Sequence, residues 1–210
     1  MPDGGRLLVF NGRDGEWQAR VEHAGKRGIH LHVESQTRPQ VSGPDLHYLF
    51  APLKRSRFDY MVQKAVEMGV SRLVPVLTRH TQAERVNLDR LRANAIEAAE
   101  QCGVLWVPDH DEPRKLDAVL DTWDSHRRLI IADEAAAIAD PVAILGTVPR
   151  GAPLALLIGP EGGFAEAERE RLLRLPGVVR LSLGPRIMRA DTAAVAALAL
   201  INATLGDWRG

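Results

Sequence analysis

Leu157-Ile158-Gly159-Pro160-Glu161-Gly162-Gly163-Phe164 is the stretch from which the rest of this chain is read. It follows an apolar, β-like run and precedes a helical pattern. A second loop does the same: Leu183-Gly184-Pro185-Arg186-Ile187-Met188-Arg189-Ala190-Asp191-Thr192-Ala193. Two glycine-bearing loops at strand ends are the form that a small-molecule site takes in an open α/β sheet. A phosphate-binding loop of the Walker kind needs lysine and a hydroxyl after its last glycine, where Phe164 and Ala165 stand. The order G-P-E-G-G also differs from the dinucleotide fingerprint. Phosphate cradles offer bare N–H groups and positive charge, so the Glu161 carboxylate argues against a nucleotide phosphate. A ligand with cationic groups and no phosphate fits better, and S-adenosylmethionine is the commonest such cofactor. The simpler alternative is that Gly159, Gly162 and Gly163 only make a tight turn.

Working outward, the chain changes texture near residue 43. Arg6-Leu7-Leu8-Val9-Phe10, the turn Asn11-Gly12-Arg13-Asp14-Gly15 and Trp17-Gln18-Ala19-Arg20-Val21 read as a β-hairpin. Ile29-His30-Leu31-His32-Val33 alternates with the period of a half-buried strand. Pro39 and Gly43-Pro44 mark a break. From Leu46 onward helices and strands alternate. Phe58, Met61, Val62, Ala65 and Val66 recur at helical spacing before Gly69, and Leu88, Leu91, Ala95, Ala98 and Cys102 form a second stripe. Strands are expected at 73–77, 105–107, 129–132, 154–158 and 178–183, with helices near 113–123, 166–175 and 191–205. Such βαβ alternation implies an α/β fold with a mostly parallel sheet covered on both faces.

The 210 residues suffice for one sizeable domain and a small appendage. At 45% hydrophobic and 26% charged, the chain has an ordinary globular composition. Its 27 basic and 27 acidic residues cancel, so any RNA surface has to be a local patch. A single cysteine, Cys102, excludes an internal disulfide or a cysteine-rich zinc site, and its place on an apolar stripe predicts a buried thiol. His30 and His32 resemble half of a metal site, but no further ligand cluster is visible, so exposed strand positions are expected and no metal. The tryptophans at 17, 106, 123 and 208 read as packing residues. With no basic-then-apolar leader and no apolar run of spanning length, the expected location is cytoplasmic, away from membranes.

Leu156 through Phe164, followed by Leu181-Ser182-Leu183-Gly184-Pro185-Arg186-Ile187-Met188-Arg189, resembles the RsmE-type family of bacterial small-subunit ribosomal RNA uracil-N3 methyltransferases, in the SPOUT superfamily. Lys64-Ala65-Val66-Glu67-Met68-Gly69-Val70 leading into Leu73-Val74-Pro75-Val76-Leu77-Thr78-Arg79 agrees with it, as does Glu97-Ala98-Ala99-Glu100-Gln101-Cys102-Gly103 before Val107-Pro108. The family usually continues its second loop as Leu-Arg-Thr-Glu-Thr-Ala, where this chain has Met188-Arg189-Ala190-Asp191-Thr192-Ala193. The resemblance implies a SPOUT sheet with a carboxy-terminal trefoil knot at 44–210. It also implies a shortened, PUA-like β-barrel for RNA recognition at 1–43. A homodimer, S-adenosylmethionine as cofactor and small-subunit ribosomal RNA as partner, within the assembled subunit, complete the expectation. Rival readings are a SPOUT enzyme acting on a ribose 2′-hydroxyl or another base, and a non-catalytic RNA-binding protein of the same fold.

Carried over position by position, the cofactor contacts are expected at Thr78, Leu157, Ile158, Gly159, Pro160, Gly162, Gly163, Leu181, Leu183, Gly184, Ile187, Met188 and Thr192. Uracil N3 is a poor nucleophile until its proton leaves, so a base or an anion-stabilising group has to face it. Arg189 suits anion stabilisation through its planar fork, or else pairs with Asp191. Asp191 is a candidate base or a helix cap. Glu161 is a candidate base, a partner of the cofactor's cationic end, or a cap. Lys54, Arg55, Arg57 and Arg186 are candidates for RNA phosphates, or else solvated surface.

Overall fold

The computed structural model describes residues 2–209 except 24, 26, 27, 83 and 84, and of Arg55 and Arg209 only the backbone. The chain divides into two units, Met1–Ser42 with Ala99–Val107, and Gly43–Ala98 with Pro108–Gly210. The first holds an antiparallel sheet of β1 (Arg6–Phe10), β2 (Glu16–His23) and β3 (Ile29–Arg38), in that order. Between β1 and β2 the Asn11 side-chain oxygen accepts the N–H groups of Arg13 and Asp14, each at 2.9 Å. Gly15 has φ +79°, and a Cβ there would run into the Arg38 carbonyl, so this turn requires glycine. Ala19 and Val21 of β2 are buried.

The second unit is built on a sheet whose pairings are all parallel. Its elements are β4 (Leu46–Phe50), α1 (Arg55–Glu67), β5 (Arg72–Leu77), α2 (Leu88–Cys102), β6 (Asp109–His110), β7 (Arg114–Lys115), α3 (Leu116–Asp121), β8 (Arg128–Ala132), α4 (Pro141–Leu145), β9 (Leu154–Ile158), α5 (Glu166–Leu173), β10 (Val179–Leu181) and α6 (Ala190–Thr204). A 3₁₀ turn at Asp207–Arg209 follows. The strand order is β10-β8-β9-β4-β5-β6, with β7 also pairing on β5. All five residues of β9 are buried, the pattern of a strand covered on both faces.

The two faces have different coverings. On one, Leu49, Val74, Ala155 and Leu157 of the sheet pack with Leu116 and Leu120 of α3 and Leu172 of α5. The other carries Tyr48 and Phe50, stacked at 5.1 Å between ring centroids, with Phe58 of α1 edge-on to Phe50 at 6.0 Å. Asn202 of α6 donates to the Met68 carbonyl at 2.8 Å, tying α6 to the end of α1. A fully buried Leu, Ile or Phe contributes roughly 1.5–3 kcal/mol, so the buried residues of the central strands are a large source of this unit's hydrophobic stabilisation.

From β4 the chain runs through α1 to β5 on one side, whereas from β9 it runs through α5 to β10 on the other. The neighbours β4 and β9 therefore flank a topological switch point, where the loops leaving the strands' carboxyl ends diverge and open a crevice.

The α/β class with a mostly parallel sheet, preceded by a small antiparallel β-sheet, is as expected. Four local expectations need correction. The strand expected at 105–107 lies instead at Asp109–His110, because Pro108 has no N–H for a ladder and Asp109 N–H is the first to bond β5's neighbour Ser71, at 3.0 Å. The alternating β3 is exposed along its whole length, with Ile29, Leu31 and Val33 half bare, so its period reports the strand and not a buried face. Cys102 is exposed, since it ends α2 where the apolar stripe runs out. Trp208 is 58% exposed in the terminal 3₁₀ turn and packs little.

Candidate functional site

The loops that leave β8, β9 and β10 enclose a cavity of about 630 Å³, within the size range of small-molecule sites. The 159–165 loop forms one wall. Its turn is closed by the Gly163 N–H on the Pro160 carbonyl at 2.9 Å, with Gly163 at φ +71°. Gly159 is needed for a different reason. A Cβ there would come within 2.8 Å of two ring carbons of Phe164, which packs on the hydrophobic core. Ala165 precedes α5 and has no capping oxygen, so Glu168 reaches back and accepts its N–H at 2.9 Å.

The other oxygen of Glu168 accepts the Arg79 N–H at 2.8 Å, which ties the loop after β5 to the loop after β9. His80 adds a second tie through Nδ1 and the Gly163 carbonyl, 3.0 Å apart. A carbonyl only accepts, so Nδ1 carries the hydrogen and Nε2 is left for another partner.

The opposite wall is held by Asp133, whose carboxylate is almost buried. It takes Arg180 Nε at 2.7 Å, Arg169 at 3.1 Å and the Ala135 N–H at 3.0 Å. Arg180 also donates to the Ala135 carbonyl at 2.9 Å. These charge-assisted bonds fix the turn that presents Glu134 to the cavity. The third wall is the 182–189 loop, with Gly184 at φ +93° and Arg189 as the residue before α6.

Of the expected cofactor contacts, Ile158, Gly159, Pro160, Gly162, Gly163, Leu181, Leu183, Gly184, Ile187 and Met188 line this cavity together. Three stand elsewhere. Leu157 is buried in the core of β9, Thr192 lies in the first turn of α6, and Thr78 closes a turn in which its N–H donates to Thr81 Oγ1 at 2.8 Å. Arg189 and Glu161 line the cavity, while Asp191 is absent from its walls and accepts the Thr192 N–H at 2.9 Å. Among the described residues no ion pair joins Arg189 to Asp191. Glu161 is not a cap of α5; it pairs with Arg57 of α1.

That pair sits at the wall of a second, adjoining cavity of about 340 Å³. Pro52, Leu53 and Lys54 after β4, Ser56 and Arg57 of α1, His80 and Gln82 after β5, and Pro160 and Glu161 after β9 surround it. Lys54 and Arg57 thus meet there, whereas Arg186 lines the larger cavity. The Arg55 side chain lies outside the described residues. Sequence reasoning misses His80, Gln82, Asp133, Glu134 and Arg169. The usable signal is positional, for each follows the carboxyl end of a parallel strand or meets a residue that does.

The larger cavity suits S-adenosylmethionine. Ile158, Leu181, Leu183, Ile187 and Met188 offer apolar contact to an adenine, and Glu134 and Glu161 offer carboxylates to cationic or hydroxyl groups. Among the described residues no lysine lines it.

Residues 41–202 match the RNA methyltransferase domain family, and residues 3–34 match the RNA methyltransferase PUA domain. The chain belongs to this RNA methyltransferase family. The methyltransferase is 29% identical over 196 residues to the ribosomal RNA small subunit methyltransferase E of Rickettsia conorii, across 93% of this chain and 80% of that protein. It is 27% identical over 213 residues to the protein of the same name from Bacillus subtilis, across 96% and 83%. The crystal structure of a ribosomal RNA small subunit methyltransferase E from Neisseria gonorrhoeae, bound to S-adenosylmethionine, superposes with a TM-score of 0.87 at 25% identity, across 99% of this chain and 86% of that one. No helix among the described residues is long and apolar enough to cross a membrane.

Proposed function

We propose that this methyltransferase transfers the methyl group of S-adenosylmethionine to N3 of a uridine in the 16S ribosomal RNA of the small subunit. The observation that carries the reading is the larger cavity, in which ten positions matching the family's two loops converge with Glu161 and Arg189. Similarity to the small-subunit methyltransferases, one of them solved with this cofactor, supports the reaction and its donor. When bound, the cofactor supplies a methyl group on a sulfonium and leaves as a neutral thioether.

This chain's residues have three tasks. Glycines 159, 162 and 163 let backbone approach the cofactor while Ile158, Leu183 and Ile187 flank its adenine. Arg189, which has no ion pair among the described residues, stabilises negative charge on the uracil as its N3 proton leaves. Lys54, Arg57 and Arg186 hold RNA phosphates. A homodimer fits α6, where Val195, Ala196, Ala199 and Leu200 remain only partly covered. Within this reading the carboxy-terminal loops are threaded as a SPOUT trefoil knot, the unit holding β1–β3 recognises RNA, and the enzyme works in the cytoplasm on the assembled subunit. The test is calorimetric titration with S-adenosylmethionine, followed by transfer of its labelled methyl group to unmodified small subunits. Cofactor binding with label in 16S RNA is expected. Absence of both would overturn the reading.

A further inference from the structure

The smaller cavity lies at the switch point between β4 and β9 and shares Pro160 and Glu161 with the cofactor cavity. Its charges are uneven. Arg57 is paired with Glu161, whereas the Lys54 ammonium has no hydrogen bond or ion pair among the described residues, only the Lys54 carbonyl accepting the Arg57 N–H at 3.2 Å. The cavity therefore carries an excess cation, and it adjoins the place where a methyl acceptor has to be presented. A volume of about 340 Å³ is enough for a nucleotide fragment.

We propose that the Arg57–Glu161 ion pair is the resting form of a pair whose partner is exchanged by the substrate. A phosphate of the RNA strand enters the cavity, is held by Lys54 and takes Arg57 from Glu161. The freed Glu161 carboxylate, in the wall common to both cavities, then receives the uracil N3 proton, so that the N3 electron pair takes the methyl group and the C–S bonding pair stays on sulfur. This rests on the function proposed above and adds an order of events: the base is released only when RNA is seated.

The pair is well placed for such exchange. Both side chains are more than a third exposed, so the bond is weak enough for a phosphate to replace it. Arg57 projects from α1 and Glu161 from the turn closed by Gly163, and that turn is tied independently through His80 and the Glu168 bridge to Arg79. Glu161 can thus lose Arg57 without the loop losing its other supports.

The sign of one effect separates exchange from a structural role. Glu161→Gln removes the competitor for Arg57, so this variant should bind unmodified small subunits more tightly than the parent, by about two- to five-fold, the size of a surface ion pair. Its methyl transfer should be lost while S-adenosylmethionine still raises its melting temperature. Lys54→Ala should weaken subunit binding and reduce the slope of log affinity against log salt by about 0.7, one single-strand phosphate contact. Equal or weaker binding by Glu161→Gln, or an unchanged slope in Lys54→Ala, would overturn the exchange. Should the parent enzyme bind subunits and form no N3-methyluridine, the proposed function fails, and these two binding measurements still decide the exchange.

Discussion

Gly159→Ala tests whether the 159–165 loop is shaped around its ligand or only around itself. The new Cβ would sit 2.8 Å from Cε2 and Cζ of Phe164, closer than packed carbons tolerate. Phe164 cannot swing freely, because it is packed against the core cluster that includes Leu157 and Leu172. Either the ring or the loop shifts, and overpacking of this kind costs about 1–3 kcal/mol. For a domain of this size each 1 kcal/mol moves the melting temperature by about 2–4 °C, so a fall of roughly 2–12 °C is expected without ligand. With cofactor at a hundred times its Kd, the parent gains about 2.7 kcal/mol and melts several degrees higher. The variant should lose most of that gain, since Gly159 and Phe164 both line the cavity. Gly151→Ala is the control. It has φ +74° and nothing within 4 Å of its Cβ, so it incurs backbone strain alone and keeps the cofactor shift. Thermal melts with and without S-adenosylmethionine read both effects. A Gly159→Ala protein that melts with the parent and keeps the full ligand shift would refute the reasoning.

Arg189→Ala removes a guanidinium with no ion pair among the described residues, so stability should change by less than about 0.5 kcal/mol. Methyl transfer should fall by about a hundred-fold or more with cofactor Kd nearly unchanged, and parallel losses in both would make Arg189 a cofactor residue. Asp133→Asn takes away the charge shared by Arg169 and Arg180, and should cost about 1–3 kcal/mol. It should also weaken cofactor binding in calorimetry as the Glu134 turn loosens; unchanged affinity would detach that turn from the site. His47 is a pH-sensitive point in β4. Burial, then the Arg127 charge, lowers its pKa from 6.5 to about 4, so the unfolded chain takes up a proton that the folded one refuses. Stability is full above pH 6.5 and falls between 6.5 and 4, by at most roughly 3 kcal/mol. Urea midpoints at pH 7 and 4.5 should lie closer together in His47→Gln than in the parent, and an equal spread would exclude His47 as the cause.

The α/β alternation is legible because the buried strands are continuous apolar runs and the helices carry stripes at 3.6-residue spacing. β9 is readable to the residue, since LALLI is bounded by Pro153 and Gly159. Its neighbour β4, Leu46–Phe50, escapes sequence reading as a strand although it lies at the centre of the sheet. His47 and Tyr48 break the apolar run there, and only tertiary packing shows Tyr48 fully buried beside Phe50. α4, a helix of five residues, is too short to show a period.

The same division holds at the site. Glycine-rich loops announce themselves, because few other reasons place Gly159, Gly162 and Gly163 together after a strand. Ionic partnerships do not. Arg57 and Glu161 are 104 positions apart, and Asp133 meets Arg180 across 47. No local pattern encodes such pairs. What the sequence does hold is the position of Asp133, Glu134 and His80 just beyond strand ends, which becomes informative once strand order is known.

The most direct measurement is mass spectrometry of nucleosides from 16S RNA after unmodified small subunits are incubated with the enzyme and S-adenosylmethionine. The account predicts one new N3-methyluridine per subunit, formed by the parent enzyme and, about a hundred-fold or more slowly, by Arg189→Ala. Methyl groups found on a ribose 2′-hydroxyl or another base, or cofactor bound with no methylated nucleoside formed, would contradict it.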